Sequence, residues 1–356
     1  MAGSDQTIVA SPPQFDSDSE SRLGFRPAPP AVPLPGETPE WPPELWPALT
    51  VVDTEWRPPR PRWRLALVLF LLTLLTTTVE GARLEFDFIH GLPAYATPND
   101  IFPFGWAWHH PGLLVLGLPF SLALMSILLA HELGHFIACR RYRLDSTYPL
   151  FLPAPTLIGT MGAFIRIKTR FRGRRELFDV GMAGPLAGMA LTLPLLFYGL
   201  ANSHVLTGAQ TALRQRQWIE FGWPLLARWA AGLTAPGVPI GHIELSPVAR
   251  AAWMGLLVTM LNLIPGAQLD GGHILYAFSP KLHRAASWTA MAVLLGLGWF
   301  AWPGWYVFAL FIALMRVRHP YVPVNEPLGW KRTALGVLVL LIFLLAFSAN
   351  PILSTG

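Results

Sequence analysis

From Leu113 to Ala130 the chain is apolar except for two serines, and it flows without a turn signal into His131-Glu132-Leu133-Gly134-His135. A run of that length reads as a membrane-spanning helix, because in lipid a backbone satisfies its polar groups only within its own segment. Ionisable side chains at such depth are costly and mark function. On a helix the two histidines stand one turn apart on one face, so their imidazoles can converge on one ion. Glu132 projects about 100° further round. That keeps it out of direct contact with the ion but near water beside it, the disposition of a general base next to zinc.

Apolar runs of similar length recur at about 64–80, 112–139, 179–201, 249–278, 285–301, 303–316 and 332–349. The expected fold is therefore an all-α polytopic membrane protein of about seven transmembrane helices, with the Pro303-Gly304 break able to merge or distort two of them. Composition agrees: 53% of residues are hydrophobic and 13% charged, whereas soluble domains carry about a quarter charged. The net charge of +5 is spread along the loops, and no basic stripe with interleaved aromatics points to nucleic acid. Arg57, Arg60, Arg62 and Arg64 precede the first run, and Arg140, Arg141 and Arg143 follow the second. Arg166 to Arg175 precede the third, and Arg316, Arg318 and His319 follow the sixth. By the positive-inside rule these ends and the N-terminus are cytoplasmic, and the loops 81–111 and 202–248 lie outside.

Residues 1–61 are rich in Pro, Ser and acidic side chains and read as a loosely ordered cytoplasmic tail rather than a secretory signal. Residues 62–350 then form the membrane domain, with its core at 112–280, and 351–356 a short C-terminal tail. Between the second and third runs, Ile158 to Lys168 follows three prolines and ends in alternating apolar and basic residues, a strand period. It reads as a short β-hairpin or re-entrant segment, with a plain cytoplasmic linker hairpin as the alternative. Thr160 and Gly162 on it are candidates for positioning an extended substrate.

Two imidazoles leave a catalytic zinc one protein ligand short. With Cys139 the single cysteine, a cysteine cage is excluded, and the ligand should be a carboxylate. Asp270 is the outstanding candidate. It lies where Pro265, Gly266, Gly271 and Gly272 interrupt an apolar run, and the topology puts it at the same cytoplasmic depth as the histidines. Asn262 and Gln268 nearby can hold substrate or support the site. His273, one turn beyond Asp270, competes for the metal, and Cys139, four residues after His135, is a further group that can approach it. Gly181, Gly184 and Gly188 have the spacing of close helix packing.

These motifs resemble those of the site-2 protease family, the intramembrane zinc metalloproteases. His131-Glu132-Leu133-Gly134-His135 is similar to the family's HExxH. Asn262, Pro265, Leu269, Asp270 and Gly271 resemble its second motif, although Gln268-Leu269 stands before Asp270 where the commoner form has Asn-Pro. The segments Gly159–Ala163 and Gly181–Gly188 also look like those the family carries between the two motifs. The resemblance covers roughly 112–280. It implies one Zn²⁺ held by His131, His135 and Asp270, with Glu132 as catalytic base and Asn262 orienting substrate or site. It also implies transmembrane protein substrates, such as membrane-anchored regulators, and a bacterial cytoplasmic membrane. The loop 202–248 is too short for an inserted PDZ domain. Two other classes use the same residues: a metal-ion or proton carrier, and an inactive binder of transmembrane segments. A carrier needs polar groups at successive depths, whereas here they share one level; the intact Glu132 counts against the inactive binder.

Overall fold

The computed structural model describes residues 63–208, 210–211, 217–315 and 321–354. The tail 1–61 and the cationic positions Arg57, Arg60, Arg62, Arg316, Arg318 and His319 lie outside them. The described chain is mostly helical: α1 (Trp63–Ile89), the short α2 (Pro98–Ile101) and α3 (Phe104–His109), α4 (Leu118–Arg141), α5 (Arg174–Ala201), α6 (Leu225–Thr234), α7 (Pro247–Asn262), α8 (Asp270–Phe278), α9 (Pro280–Phe300), α10 (Trp305–Leu314) and α11 (Gly329–Ala346). A 3₁₀ turn, Pro111–Gly117, leads into α4.

Among the described residues four stretches are long and apolar enough to cross a membrane: α1, Pro111–Arg141, α5 and α11. The run expected as one crossing at 249–278 is two helices, because Pro265 lacks an N–H and cannot extend α7. The α9 helix is long enough but opens Pro280-Lys281-Leu282-His283-Arg284. At ten residues, α10 spans about 15 Å, half a bilayer core.

The packing explains where small and hydroxylic residues fall. On α1, Thr76, Thr77 and Thr78 each bond back to the carbonyl four residues earlier, which satisfies hydroxyls in apolar surroundings. Thr77 also meets Ser121 of α4 at 2.6 Å. A methyl group on Gly117 would lie 1.9 Å from the Thr78 carbonyl oxygen, so the approach to α4 touches α1 backbone to backbone. The α7 helix is buried nearly all round and forms the centre, N-capped by Ser246 through Ala249 N at 3.2 Å. One core cluster joins α5, α6, α7 and α10; a second joins α1, α4 and α7.

Among the described residues there are also three two-stranded antiparallel sheets. Between α4 and α5, β1 (Leu150–Pro153) pairs with β2 (Thr160–Phe164), Leu150 opposite Phe164 and Phe151 opposite Ala163. The strands β3 (His204–Val205) and β5 (Ile243–Glu244) pair in the loop 202–248, where Glu244 forms a buried ion pair with Arg250 of α7. Finally, β6 (Ile352–Ser354), in the segment read as a tail, pairs with β4 (Ile219–Phe221).

Candidate metal centre

Helix periodicity puts His131 and His135 on the same face of α4, and both are buried. The break after α7 brings Asp270, the first residue of α8, against them. The three facing atoms form a nearly equilateral triangle. His131 Nε2 and His135 Nε2 are 3.2 Å apart, and Asp270 Oδ2 is 3.2 Å from each. The edge of a tetrahedron of zinc ligands at 2.0–2.1 Å is roughly 3.3 Å. One further bond fixes what His135 offers. Its Nδ1 donates to the Val180 carbonyl at 2.8 Å, so Nε2 presents a lone pair to the cluster, the arrangement of a ligating histidine held by a backbone acceptor. Two imidazole nitrogens and a carboxylate oxygen converging at this spacing form a donor set that fits a divalent cation, and zinc takes such ligands.

The wall behind the imidazoles is α5. A Cβ on Gly184 would lie 2.1 Å from His135 Nε2, and one on Gly188 would lie 3.2 Å from His131 Nδ1. Gly134 of α4 approaches in return, its Cβ position 2.3 Å from the Ala183 carbonyl oxygen. The small-residue spacing read in the sequence is thus close packing, and what it admits is the two rings. Gly184 and Val180 are the residues that sequence reasoning missed as parts of the centre. The glycine pattern was visible, but not the identity of the group that fills the space.

Glu132 is buried beside the triad but outside it. The backbone of Ile165, just beyond β2, lies near its carboxylate, so the hairpin and the acid are neighbours. Asn262, the last residue of α7, reaches the same corner, Nδ2 lying 3.2 Å from His131 Nε2. Gln268 does not: its amide donates to the Met315 carbonyl at 3.0 Å. Thr160 and Gly162 are engaged within the hairpin, the Thr160 hydroxyl donating to Leu152 O at 2.9 Å and accepting from Gly162 N at 3.0 Å. The His273 ring sits beside Phe171. Cys139 is buried against Leu144 and Val180. Among the described residues neither of these two joins the cluster of possible metal ligands, which is His131, His135 and Asp270.

At the end of α4 nearest these residues, Arg332 of α11 clasps Asp179 of α5 with two bonds of 2.8 and 2.7 Å, and the Tyr142 hydroxyl donates to the same carboxylate. Burial, followed by the neighbouring Asp179, pushes the Tyr142 phenol above its ordinary range.

Helices of membrane-crossing length surround the His-His-Asp cluster, and a carboxylate stands one residue from its first member, the parts of a metal centre set in an apolar helical bundle. The profile of Peptidase family M50 matches residues 119–299, half of the chain and all of this centre, and the chain belongs to that family. It is 30% identical over 296 residues to the probable zinc metalloprotease EGY1, chloroplastic, of Oryza sativa subsp. japonica, covering 79% of this chain and 49% of that protein. To the Arabidopsis thaliana EGY1 it is 28% identical over 290 residues, covering 79% and 52%. To Arabidopsis thaliana EGY2, also a probable chloroplastic zinc metalloprotease, it is 32% identical over 252 residues, covering 68% and 44%. The chain spans about half the length of these relatives. They are chloroplastic plant proteins and lend no support to the bacterial membrane expected from the family resemblance.

Proposed function

We propose that the chain is an intramembrane zinc metalloprotease that hydrolyses a peptide bond in or near the transmembrane segment of membrane-anchored regulatory proteins. The observation that carries this reading is the 3.2 Å triangle of His131 Nε2, His135 Nε2 and Asp270 Oδ2, with Glu132 buried beside it. Membership of family M50 and the names of its relatives support it. His131, His135 and Asp270 would hold the zinc. When bound, the ion acidifies water and polarises a carbonyl.

The chain's own groups do the rest. Glu132 takes the proton of the attacking water at a carboxylate oxygen and returns it to the leaving amine nitrogen. Val180 keeps the His135 ring in one tautomer and one orientation. Asn262 stands at the mouth of the triangle, placed to orient a peptide group. A substrate helix must unwind locally, because helical carbonyls and amides are paired with each other. The β2 strand, which ends beside Ile165 near Glu132, is the segment to receive the unwound stretch.

The same reading takes the bundle as seven crossings. The four long stretches supply four, α7 with α8 one, and α9 and α10 the others, with the N-terminus and the metal centre on the cytoplasmic side. The test is Glu132→Gln in the full chain. Cleavage of a single-span substrate should cease while zinc binding stays at one equivalent. Undiminished cleavage would sink the assignment of the base, and absence of zinc from the wild-type protein would sink the proposed metal centre.

A further inference from the structure

Asp270 follows a seven-residue connection from Leu263 to Leu269 and begins its helix without a side-chain cap. The connection contains one backbone outlier, Ala267, with φ of +50°. For a residue with a Cβ the left-handed region is disfavoured, because the Cβ comes too close to the following carbonyl oxygen. Such a conformation persists only where the surroundings over-determine it.

The surroundings that do so belong to α9. Ser287 Oγ accepts the Ala267 N–H at 3.2 Å, and His283 Nε2 donates to the Ala267 carbonyl at 2.9 Å. The Ser287 hydroxyl spends its own proton on the His283 carbonyl at 2.8 Å, which leaves its lone pairs for Ala267. Both backbone polar groups of this one residue are therefore gripped by two buried side chains one turn apart. The other side of Ala267 faces α8. A Cβ on Gly272 would lie 2.6 Å from the Ala267 carbonyl oxygen, and one on Gly271 would lie 2.2 Å from the Leu263 carbonyl oxygen. The first turn of α8 thus rests on the gripped connection, with Asp270 at its head.

We infer that His283 and Ser287 are positioning residues for the metal centre. By fixing Ala267 they hold the Asp270 carboxylate at 3.2 Å from both imidazoles. Neither touches the triad; each acts through the backbone three residues before Asp270. The inference rests on the proposed zinc reading and extends the centre to α9, outside both sequence motifs.

The test is zinc affinity of the full chain in detergent, measured by competition with a chromophoric chelator. Zinc alone is the probe. His283→Ala and Ser287→Ala should each weaken zinc binding about tenfold, the lower end of what supporting residues around a metal contribute. Adding Ala267→Gly to His283→Ala should restore most of the loss, because glycine enters the left-handed region without cost. Unchanged zinc affinity in folded His283→Ala and Ser287→Ala proteins overturns the inference. So does a loss that Ala267→Gly leaves uncorrected, since that is the mark of packing alone. If His283→Ala does not fold, Ser287→Ala, which removes a single hydroxyl, decides. A wild-type chain that takes up no zinc defeats the underlying reading, and this inference with it.

Discussion

Gly184→Ala puts the centre's geometry under the most direct strain. The added carbon would sit 2.1 Å from His135 Nε2 and 2.5 Å from both Cδ2 and Cε1. Ordinary contact begins at 3.4 Å, so the ring must retreat by about 1.3 Å, whereas metal–ligand distances tolerate about 0.2 Å. Moving the two helices apart instead would open the close Gly134–Ala183 backbone contact between them. A retreating ring also gives up its bond to Val180. Misplacing a reacting group by about 1 Å costs about 100-fold, and a comparable loss of zinc affinity corresponds to about 2.7 kcal/mol. Gly188→Ala is the matched control. Its carbon would stand 3.2 Å from His131 Nδ1, short of ordinary contact by only about 0.2 Å. Zinc competition on detergent-purified protein, with circular dichroism to verify helix content, reads both variants. We expect Gly184→Ala to lose zinc and cleavage while Gly188→Ala keeps zinc affinity within about threefold. Wild-type zinc affinity in Gly184→Ala, or greater damage from Gly188→Ala, would refute the α4–α5 geometry and the reasoning built on it.

Further tests follow from other contacts. Asp270→Ala should abolish stoichiometric zinc binding with the helical signal intact, and mass spectrometry of the purified protein under native conditions reads the metal content; retained zinc would remove Asp270 from the ligand set. The raised Tyr142 phenol gives a pH dependence of defined sign. Above the unfolded value of about 10 the unfolded chain releases its proton first, so this contribution is complete below pH 10 and is lost as pH rises toward the folded value. Resistance to denaturation by SDS should therefore fall from pH 9 to 11 less steeply in Tyr142→Phe than in wild type, and parallel declines would exclude the assignment.

How much of this was legible in the sequence depends on what fixes each direction. His131, Glu132 and His135 could be placed because a helix sets their angular relation whatever surrounds it. Asp270 stood out as a carboxylate in an apolar run at a Pro-Gly break. Gln268 did not yield to the same logic. It lies in a connection without period, so tertiary contact decides its direction, and it turned to Met315. Gly184 shows a different limit. A missing side chain says that something comes close, and only the packed structure says that it is a ring of His135. The buried Arg250–Glu244 pair was invisible for a third reason: its acid lies in a loop assigned to water, and only the pairing of β3 with β5 draws it in. The Ala267 grip depends on α9, beyond both motifs, so no motif spacing could have reported it.

The cluster joins side chains 139 positions apart, His131 and Asp270. Translation at 5–20 residues per second separates their appearance by roughly 7 to 28 s. The imidazoles and Glu132 are synthesised first, and throughout that interval the centre has no carboxylate corner. On the proposed assignment a nascent or truncated chain therefore carries the base without the complete metal site. On that reading the chain is born inert, and the proposed activity waits on insertion of the segment that ends the triangle.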